Sequence, residues 1–331
     1  MSLPVFFIDK SACKGLFGVI PFLYIGSVLV FNIGDIIMIK IWISLTIFLV
    51  ISFCIMFCGR ADSGDGNTPK KIPGYKLVWA DEFSRNGPPD PEFWHFDTGF
   101  VRNEELQWYQ PENAVCKGGY LIIEGRRERV KNTGYKKDSK NWKENRQFAE
   151  YTSAEIITKQ KITWMYGRFE VRARIKTRDG LWPAIWFLGE KGEWPSCGEI
   201  DLMEYYNGNI LANACWGSKE RWKGQWDSAK KPVASFNDPQ WDSKFHVWRM
   251  DWDDKKISLY VDDILLNDID ITKTINPVKE WGPENPFRQP HYILLNLAIG
   301  GTSGGDPSKT EFPTLFEVDY VRVYQKDTAS R

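Results

Sequence analysis

The strongest constraint on the fold is an unbroken alternation of apolar and charged residues. It runs from 168 to 176, and its apolar members are Phe169, Val171, Ala173 and Ile175. Successive side chains of a strand point to opposite faces, so this period of two predicts a strand with one buried face. Similar runs, separated by Gly, Pro, Asn and Asp, lie at 120–124, 257–261, 292–299 and 318–324. With no helical pattern of comparable length, the sequence predicts an all-β fold of two stacked antiparallel sheets, a sandwich or jelly roll.

The first 60 residues differ from the rest because they are almost uninterruptedly apolar. Two stretches, 16–34 and 41–57, approach the ~20 residues that a helix needs to cross a bilayer. Alternatively, translation begins at Met38 and the following residues form an export signal that ends at Cys58, which would then carry lipid. Both interpretations predict an exported protein, anchored in the membrane or a lipoprotein, that faces the periplasm or the cell surface.

The remaining chain divides by composition. Residues 61–74 are rich in Gly, Asp, Ser and Thr and predict a flexible linker, 75–326 predict one all-β domain, and 327–331 a short tail. The segment 126–147 is dense in Lys, Arg and Asn and predicts a solvated surface loop. We expect a monomer.

Charge and aromatic content narrow the partners. The formal net charge is zero and the basic residues form no run, which excludes nucleic acid as an expected partner. The 16 tryptophans favour a carbohydrate, because the apolar face of a sugar ring stacks on an indole. Beyond the apolar segment, an odd number of cysteines, Cys116, Cys197 and Cys215, predicts at least one free thiol, and with three histidines in the chain a zinc site is not expected.

Three carboxylates within six residues, Glu199, Asp201 and Glu204, form the candidate catalytic group. In a regular strand Glu204 would point away from the other two, and a one-residue bulge would bring all three to one face. Glu side chains that lean inward can then reach the ~5 to 5.5 Å carboxyl separation of a retaining glycosidase. Asp201, midway, could hydrogen-bond one glutamate and help to hold the protonation states apart.

A solvated acidic strand is the alternative interpretation of these carboxylates. Their neighbours Trp194, Met203 and Tyr205 are typical of a buried or sugar-facing strand. Three uncompensated carboxylates would be costly there unless function retained them. We therefore favour catalysis.

The segment EIDLME at 199–204 resembles the bulged E-x-D-x-x-E motif of glycoside hydrolase family 16. The resemblance covers about 75–326 and includes, in order, WADEF (79–83), NEELQWY (103–109), EYTSA (150–154), YGRFE (166–170), WPAIW (182–186), FHVW (245–248), NLAIGG (296–301) and EVDYVRVY (317–324).

This resemblance implies a β-jelly-roll with a substrate cleft along its concave sheet. It implies that Glu199 is the nucleophile, Asp201 its electrostatic helper and Glu204 the general acid/base. No cofactor is required for such chemistry. The expected partner is a polysaccharide or glycan.

The resemblance also implies binding positions. Trp182 and Trp186 match sugar-stacking residues, and the loop that borders the glycone side of the cleft supplies Asn103, Trp108 and Tyr109. We add Trp194 and Trp216 as further stacking candidates, and tryptophans spread along a cleft predict an endo-acting enzyme.

A structural calcium ion is a further implication of the resemblance. The matching ligands on the convex side are Glu82, the Gly119 carbonyl and Asp319. The alternative is that these two acids are simply paired or exposed.

The substrate is the least constrained prediction. The motif favours β-1,3- or β-1,3-1,4-glucan, yet relatives that cleave laminarin often carry a histidine where this chain has Cys215. A hairpin through 207–209 would place Cys215 close to Glu199. The alternative is therefore an endo-β-galactosidase acting on β-galactan or on host mucin-type or poly-N-acetyllactosamine glycans, and a third possibility is a non-catalytic carbohydrate-binding protein.

Overall fold

The computed structural model describes residue 69 and residues 71–327. The predicted export or anchor segment 1–60 and nine of the fourteen linker residues, 61–68 and 70, lie outside the described residues. No helix in the described part is long and apolar enough to cross a membrane.

Nineteen strands make up the described domain. They are β1 (Tyr75–Asp81), β2 (His95–Phe96), β3 (Gln107–Tyr109), β4 (Ala114–Lys117), β5 (Tyr120–Gly125), β6 (Val130–Lys131), β7 (Phe148–Ala149), β8 (Tyr151–Ser153), β9 (Glu155–Ile157), β10 (Gly167–Arg174), β11 (Leu181–Gly189), β12 (Glu199–Tyr206), β13 (Asn209–Gly217), β14 (Gly224–Pro232), β15 (His246–Trp252), β16 (Lys256–Val261), β17 (Ile264–Asp270), β18 (His291–Ile299) and β19 (Thr314–Lys326).

Helices are short. Two α-helices of four residues, α1 (Trp142–Asn145) and α2 (Gly301–Gly304), are described, with 3₁₀ turns at Pro111–Asn113, Val233–Phe236, Trp241–Ser243 and Lys279–Trp281. The predicted loop at 126–147 contains β6 and α1.

Two large antiparallel sheets confirm the all-β prediction. One has eight strands in the order β17-β16-β15-β10-β19-β5-β4, with β1 also paired to β19, and is called the outer sheet here. The other has seven strands in the order β14-β13-β12-β11-β18-β9-β2 and is called the cleft sheet. A two-stranded parallel sheet, β3-β8, and a small hairpin, β6-β7, complete the domain.

One apolar cluster contains side chains of both sheets. On β10 the apolar residues of the alternation are buried and the charged ones are partly exposed, as the sequence predicts. Phe169 packs edge-to-face against Phe187 of β11, with 5.3 Å between ring centroids. Burial of such large side chains stabilises the domain by about 1.5 to 3 kcal/mol each.

The predicted hairpin between β12 and β13 is present. Its two turn residues, Asn207 and Gly208, have φ of 49° and 76°. Positive φ at both positions is typical of the tight turns that match the right-handed strand twist. The turn fixes the register of the hairpin, so that Glu199 lies directly opposite Cys215.

Candidate active site

A bulge in β12 gathers the three carboxylates. Asp201 lies opposite Asn213 and Glu204 opposite Leu211, so three steps on β12 match two on β13. The predicted bulge is therefore confirmed. Because the extra residue reverses the alternation, Glu199, Asp201 and Glu204 all line the same cleft, whose volume is about 650 Å³.

Neutral donors hold these carboxylates. Trp194 Nε1 donates to Glu199 Oε2 over 2.7 Å, and Trp182 Nε1 donates to Glu204 Oε1 over 2.7 Å. The amide of Asn213 on β13 donates to Asp201 Oδ2 (3.1 Å) and to Glu204 Oε2 (3.2 Å). Asp201 is also hydrogen-bonded to both glutamates. The three side chains thus form one connected network.

The electrostatics of this row favour protonation. Burial, reinforced by the charge of Glu204, raises the pKa of Glu199 to about 7. Burial and the two flanking glutamates raise the pKa of Asp201 well above its usual value, and burial also raises the pKa of Glu204. Desolvation disfavours the charged forms, so the row keeps protons that exposed carboxyls would release at neutral pH.

One end of the cleft is formed by a charged loop beside β18 and α2. Arg102 forms a bidentate ion pair with the buried Glu155 and covers the Trp186 ring, 4.9 Å from its centroid. Glu105 accepts a hydrogen bond from Gln107 Nε2 over 2.6 Å, and burial raises its pKa to about 7. This end therefore carries a second buried carboxyl.

The opposite end is formed by the edge strand β14. Its residues Trp226, Ser228 and Lys230 line the cleft. Sequence reasoning missed all three, because β14 is polar or exposed on both faces and shows no apolar alternation. The tryptophan, 47% exposed, was the available signal.

Similarity to known proteins identifies the family. The model of the family described as glycosyl hydrolases family 16 matches residues 126–322. This chain belongs to glycosyl hydrolases family 16. It is therefore a glycosidase, as the sequence resemblance implied, and family 16 chemistry needs no cofactor.

Relatives of this family 16 member include several endo-glycanases. A β-glucanase from Rhodothermus marinus is 37% identical over 269 residues, which are 77% of this chain and 87% of that protein. A keratan-sulfate endo-1,4-β-galactosidase from Sphingobacterium multivorum is 29% identical over 257 residues, 76% of this chain and 55% of that protein. One similar solved structure is described with the statement that prominent members of the human gut microbiota express endo-acting O-glycanases to initiate mucin breakdown. It is 34% identical, has a TM-score of 0.70, and the match covers 78% of this chain and 94% of that one.

Four of the predicted binding residues line the cleft of this family 16 enzyme. They are Asn103, Trp182, Trp186 and Trp194. Trp194 is 38% exposed and offers a ring face, whereas Trp186 is 8% exposed and donates its Nε1 to Asn296 Oδ1 over 2.7 Å. Trp186 therefore contributes mainly to the floor beneath Arg102.

Three other predicted binding residues do not line the cleft. Trp216 follows Cys215 on β13 and so points to the opposite face, where it packs against the core. Tyr109 is fully buried, and its hydroxyl accepts a hydrogen bond from Asn296 Nδ2 over 3.1 Å. Trp108 packs edge-to-face against Phe100, 5.5 Å between centroids. Trp216 and Tyr109 therefore pack beneath residues that line the cleft.

The predicted calcium ligands lie at the outer sheet. The carboxylate of Glu82 accepts two hydrogen bonds from Arg322, of 2.8 and 2.9 Å, and Asp319 pairs with Arg172 over 2.6 Å. No group of three or more His, Cys, Asp or Glu side chains in the described part is placed to hold a metal. Both acids are therefore paired with arginines, as the alternative interpretation expected. The calcium site stays a prediction.

The three cysteines beyond the apolar segment are all free and buried. Burial, together with the charge of Glu199, raises the pKa of Cys197 to about 12 and that of Cys215 still higher. Both side chains are therefore neutral thiols beside the carboxylate row.

Proposed function

We propose that this family 16 member is a retaining endo-β-glycosidase that cleaves internal β-linkages by two successive displacements. The observation that carries the proposal is the row Glu199, Asp201 and Glu204 on one face of β12 at the floor of a cleft. In the described part of the chain no arginine or lysine forms an ion pair with this row. A non-catalytic sugar-binding protein would have no use for such a cluster.

In the first displacement, a carboxylate oxygen of Glu199 attacks the anomeric carbon and forms an ester bond to it. The bond between that carbon and the leaving sugar oxygen breaks, and the proton held by Glu204 passes to that oxygen. The indole of Trp194 stabilises the ionised form of Glu199, because it donates to one of its oxygens. Burial, which raises the pKa of Glu204, keeps a proton there for the leaving group.

In the second displacement, Glu204 takes a proton from a water molecule. The water oxygen attacks the anomeric carbon, the ester bond breaks and Glu199 regains its carboxylate. Each displacement inverts the anomeric centre, so the product retains the original configuration. Asp201, with a raised pKa and hydrogen bonds to both glutamates, can donate to whichever of them carries the negative charge.

β-1,3- or β-1,3-1,4-glucan is the proposed substrate. The β-glucanase of Rhodothermus marinus supports it, since that relative shares 37% of aligned residues over most of both chains. Cleft residues at both ends, from Asn103 to Trp226, fit a chain that continues past the cleaved bond. The enzyme should therefore act internally.

A β-galactan or a mucin-type glycan is the second candidate. Cys215, directly opposite Glu199, stands where laminarin-cleaving enzymes often have a histidine, so a contact beside the nucleophile has changed. The keratan-sulfate endo-galactosidase and the structure described with O-glycanases support this candidate.

One experiment tests reaction and substrate together. The enzyme is incubated with laminarin, mixed-linkage glucan, β-galactan and mucin-type glycans, early products are sized, and the anomer released first is identified by NMR. We expect mixed oligosaccharides in the β-configuration from one of these polymers. Release of monosaccharide alone, or of the α-anomer, would contradict the proposal.

Calcium binding and export remain separate proposals. Because Glu82 and Asp319 are engaged by arginines, a calcium ion would have to share or displace these partners. A higher melting temperature in calcium than in EDTA would support the ion. Membrane fractionation of the full chain tests anchoring by residues 1–60.

A further inference from the structure

The cleft-facing side of β14 carries an unusual combination of an aromatic ring, a hydroxyl and a free cation. Alternate residues, Trp226, Ser228 and Lys230, face the cleft. Of the residues between them, Asp227 accepts a hydrogen bond from Asn267 Nδ2 over 3.1 Å. Lys231, beyond them, lies 5.4 Å from the Phe236 ring centroid. Among the described residues, the three cleft-facing side chains have no such partners.

The Trp226 indole is placed by two small residues. A Cβ atom on Gly224 would lie 2.3 Å from Cys215 Sγ and 3.1 Å from Trp226 Nε1, so glycine, thiol and indole are in close contact. Cys215 in turn lies opposite Glu199. The small side chain at 215 thus leaves room for an indole beside the nucleophile position. With 47% of its surface exposed, this indole offers a face to a sugar ring.

Lys230 is an exposed cation without a counter-charge. In the part of the chain that the structure describes, no carboxylate forms an ion pair with it. Its neighbour on β13 is Leu211, which cannot neutralise it. The charge is therefore available to a ligand.

The register places both residues relative to the reaction centre. On β13, Cys215 pairs with Glu199 of β12 on one side and with Trp226 of β14 on the other. Leu211 pairs in the same way with Glu204 and Lys230. Two strand spacings put them about 10 Å from the carboxylate row, and four residues of strand separate them by about 13 Å. They flank the cleft end opposite the loop of Asn103, which the family resemblance assigns to the glycone side.

We propose that β14 forms an aglycone-side subsite for a sugar with an anionic substituent, which stacks on Trp226 and is bound through its sulfate or carboxylate by Lys230. This inference rests on the proposed endo-glycosidase function and names the substrate class of its aglycone end. It is independent of which sugar occupies the glycone side. Lys230 lies two strands away from the acidic row. An anionic substituent bound there is attracted by the lysine and is repelled only weakly by the distant carboxylates.

The test compares matched substrates and matched lysines. The polymer that the enzyme cleaves, among laminarin, mixed-linkage glucan, β-galactan and mucin-type glycans, is supplied in neutral, sulfated and carboxylated forms. For each form, kcat/KM is measured for the wild type, Lys230→Gln, Trp226→Ala and the control Lys231→Gln. Lys230→Gln should lower kcat/KM about 5- to 10-fold on an anionic form and less than about 2-fold on the neutral form. Higher salt should reduce the advantage of the anionic form in the wild type and in Lys231→Gln, but not in Lys230→Gln.

Trp226→Ala should lower kcat/KM on all forms by about 10-fold or more, through KM more than kcat, because stacking does not depend on the substituent. Lys231→Gln should behave as the wild type. The sulfated and carboxylated arms show which anion is bound.

Equal rates on neutral and anionic forms, with Lys230→Gln unchanged, would overturn the inference while leaving the glycosidase intact. A shift of the pH profile in Lys230→Gln without any change in substrate preference would also overturn it, because Lys230 would then act on Glu204. Failure to cleave any form would refute the proposed function instead.

Discussion

The acids of the outer sheet and the carboxylate row of the cleft sheet have opposite kinds of partner. On the outer sheet, acids and arginines alternate across neighbouring strands and form ion pairs. On the cleft sheet, Asp201 is buried and Glu199 and Glu204 are half-buried, yet indoles and an amide are their partners. A carboxylate that only needs stabilising is given a cation, whereas these three are not.

The outer pairs have the geometry of stable structure. Arg168 binds Asp251 with both a 2.6 Å and a 2.9 Å bond, and Arg174 binds Glu317 with bonds of 2.7 and 2.8 Å. Bidentate pairs of this kind fix the position and orientation of the carboxylate. Neutral donors on the cleft sheet orient a carboxylate and leave its protonation free to change. The kind of partner therefore distinguishes the structural acids, which are paired with arginine, from the acids of the candidate catalytic row.

The sharpest way to break this comparison is Glu199→Gln. The amide keeps the shape but loses the nucleophilic charge, so turnover should fall about 10³-fold or more. Because burial raises the pKa of Glu199 from 4.5 to about 7, removing the acid should also stabilise the fold by about 3 kcal/mol at pH 8.

Activity assays and urea unfolding check both effects. Because a glutamine can deamidate back to glutamate, freshly purified protein and mass spectrometry guard against recovery of the acid at 199. Unaltered turnover would show that Glu199 is not the nucleophile. A variant less stable than the wild type would contradict the expectation that the ionised acid destabilises the fold.

Glu204→Gln should have the next largest effect, and one that depends on the substrate. Loss of the general acid should slow cleavage of a natural glycan about 10²- to 10³-fold, because its sugar leaving group needs a proton. A substrate with an activated phenol leaving group should lose less than about 10-fold in the step that forms the glycosyl-enzyme. Burst kinetics with that substrate isolate this step. Equal losses on both substrates would argue that Glu204 is not the acid.

The sequence predicted the strands that have one face against the core and the other in solvent. The alternation at 168–176 predicted β10 because one face meets the core and the other meets solvent. The edge strand β14 was not predicted, because neither of its faces is apolar. The carboxylate row and its bulge were predicted because three acids on one apolar strand are costly to bury unless the chemistry uses them.

Errors arose where a side chain's direction depends on distant residues. Trp216 was assigned to the cleft, but the facing of Cys215 toward Glu199 turns the next residue to the core. Tyr109 was assigned to the cleft border, but Asn296, 187 residues later, binds its hydroxyl inside the protein. Neither contact leaves a local pattern in the sequence.

Glu317→Gln on the outer sheet makes the same substitution as Glu199→Gln, but at an acid that is paired with an arginine. It leaves Arg174 with a neutral partner, so the free energy of unfolding should fall by about 1 to 3 kcal/mol. Activity below the melting transition should stay within about 2-fold, because Glu317 lies on the sheet away from the cleft. Urea unfolding and a standard assay measure the two. A large loss of activity at unchanged stability would undo the distinction between the sheets.

The last prediction concerns Glu105, a buried carboxyl in the charged loop at one end of the cleft. Burial raises its pKa from 4.5 to about 7, so the folded state holds this proton more tightly than the unfolded chain. Its contribution to stability is therefore fully present below pH 4.5 and is lost as the pH rises through about 7. Glu105→Gln removes this dependence and keeps an acceptor for Gln107 Nε2. Relative to the wild type, the variant should gain about 3 kcal/mol in unfolding free energy between pH 4.5 and pH 8, measured by urea unfolding across that range. Parallel curves for the two proteins would mean that Glu105 is ionised in the fold and that Arg102, rather than protonation, compensates it.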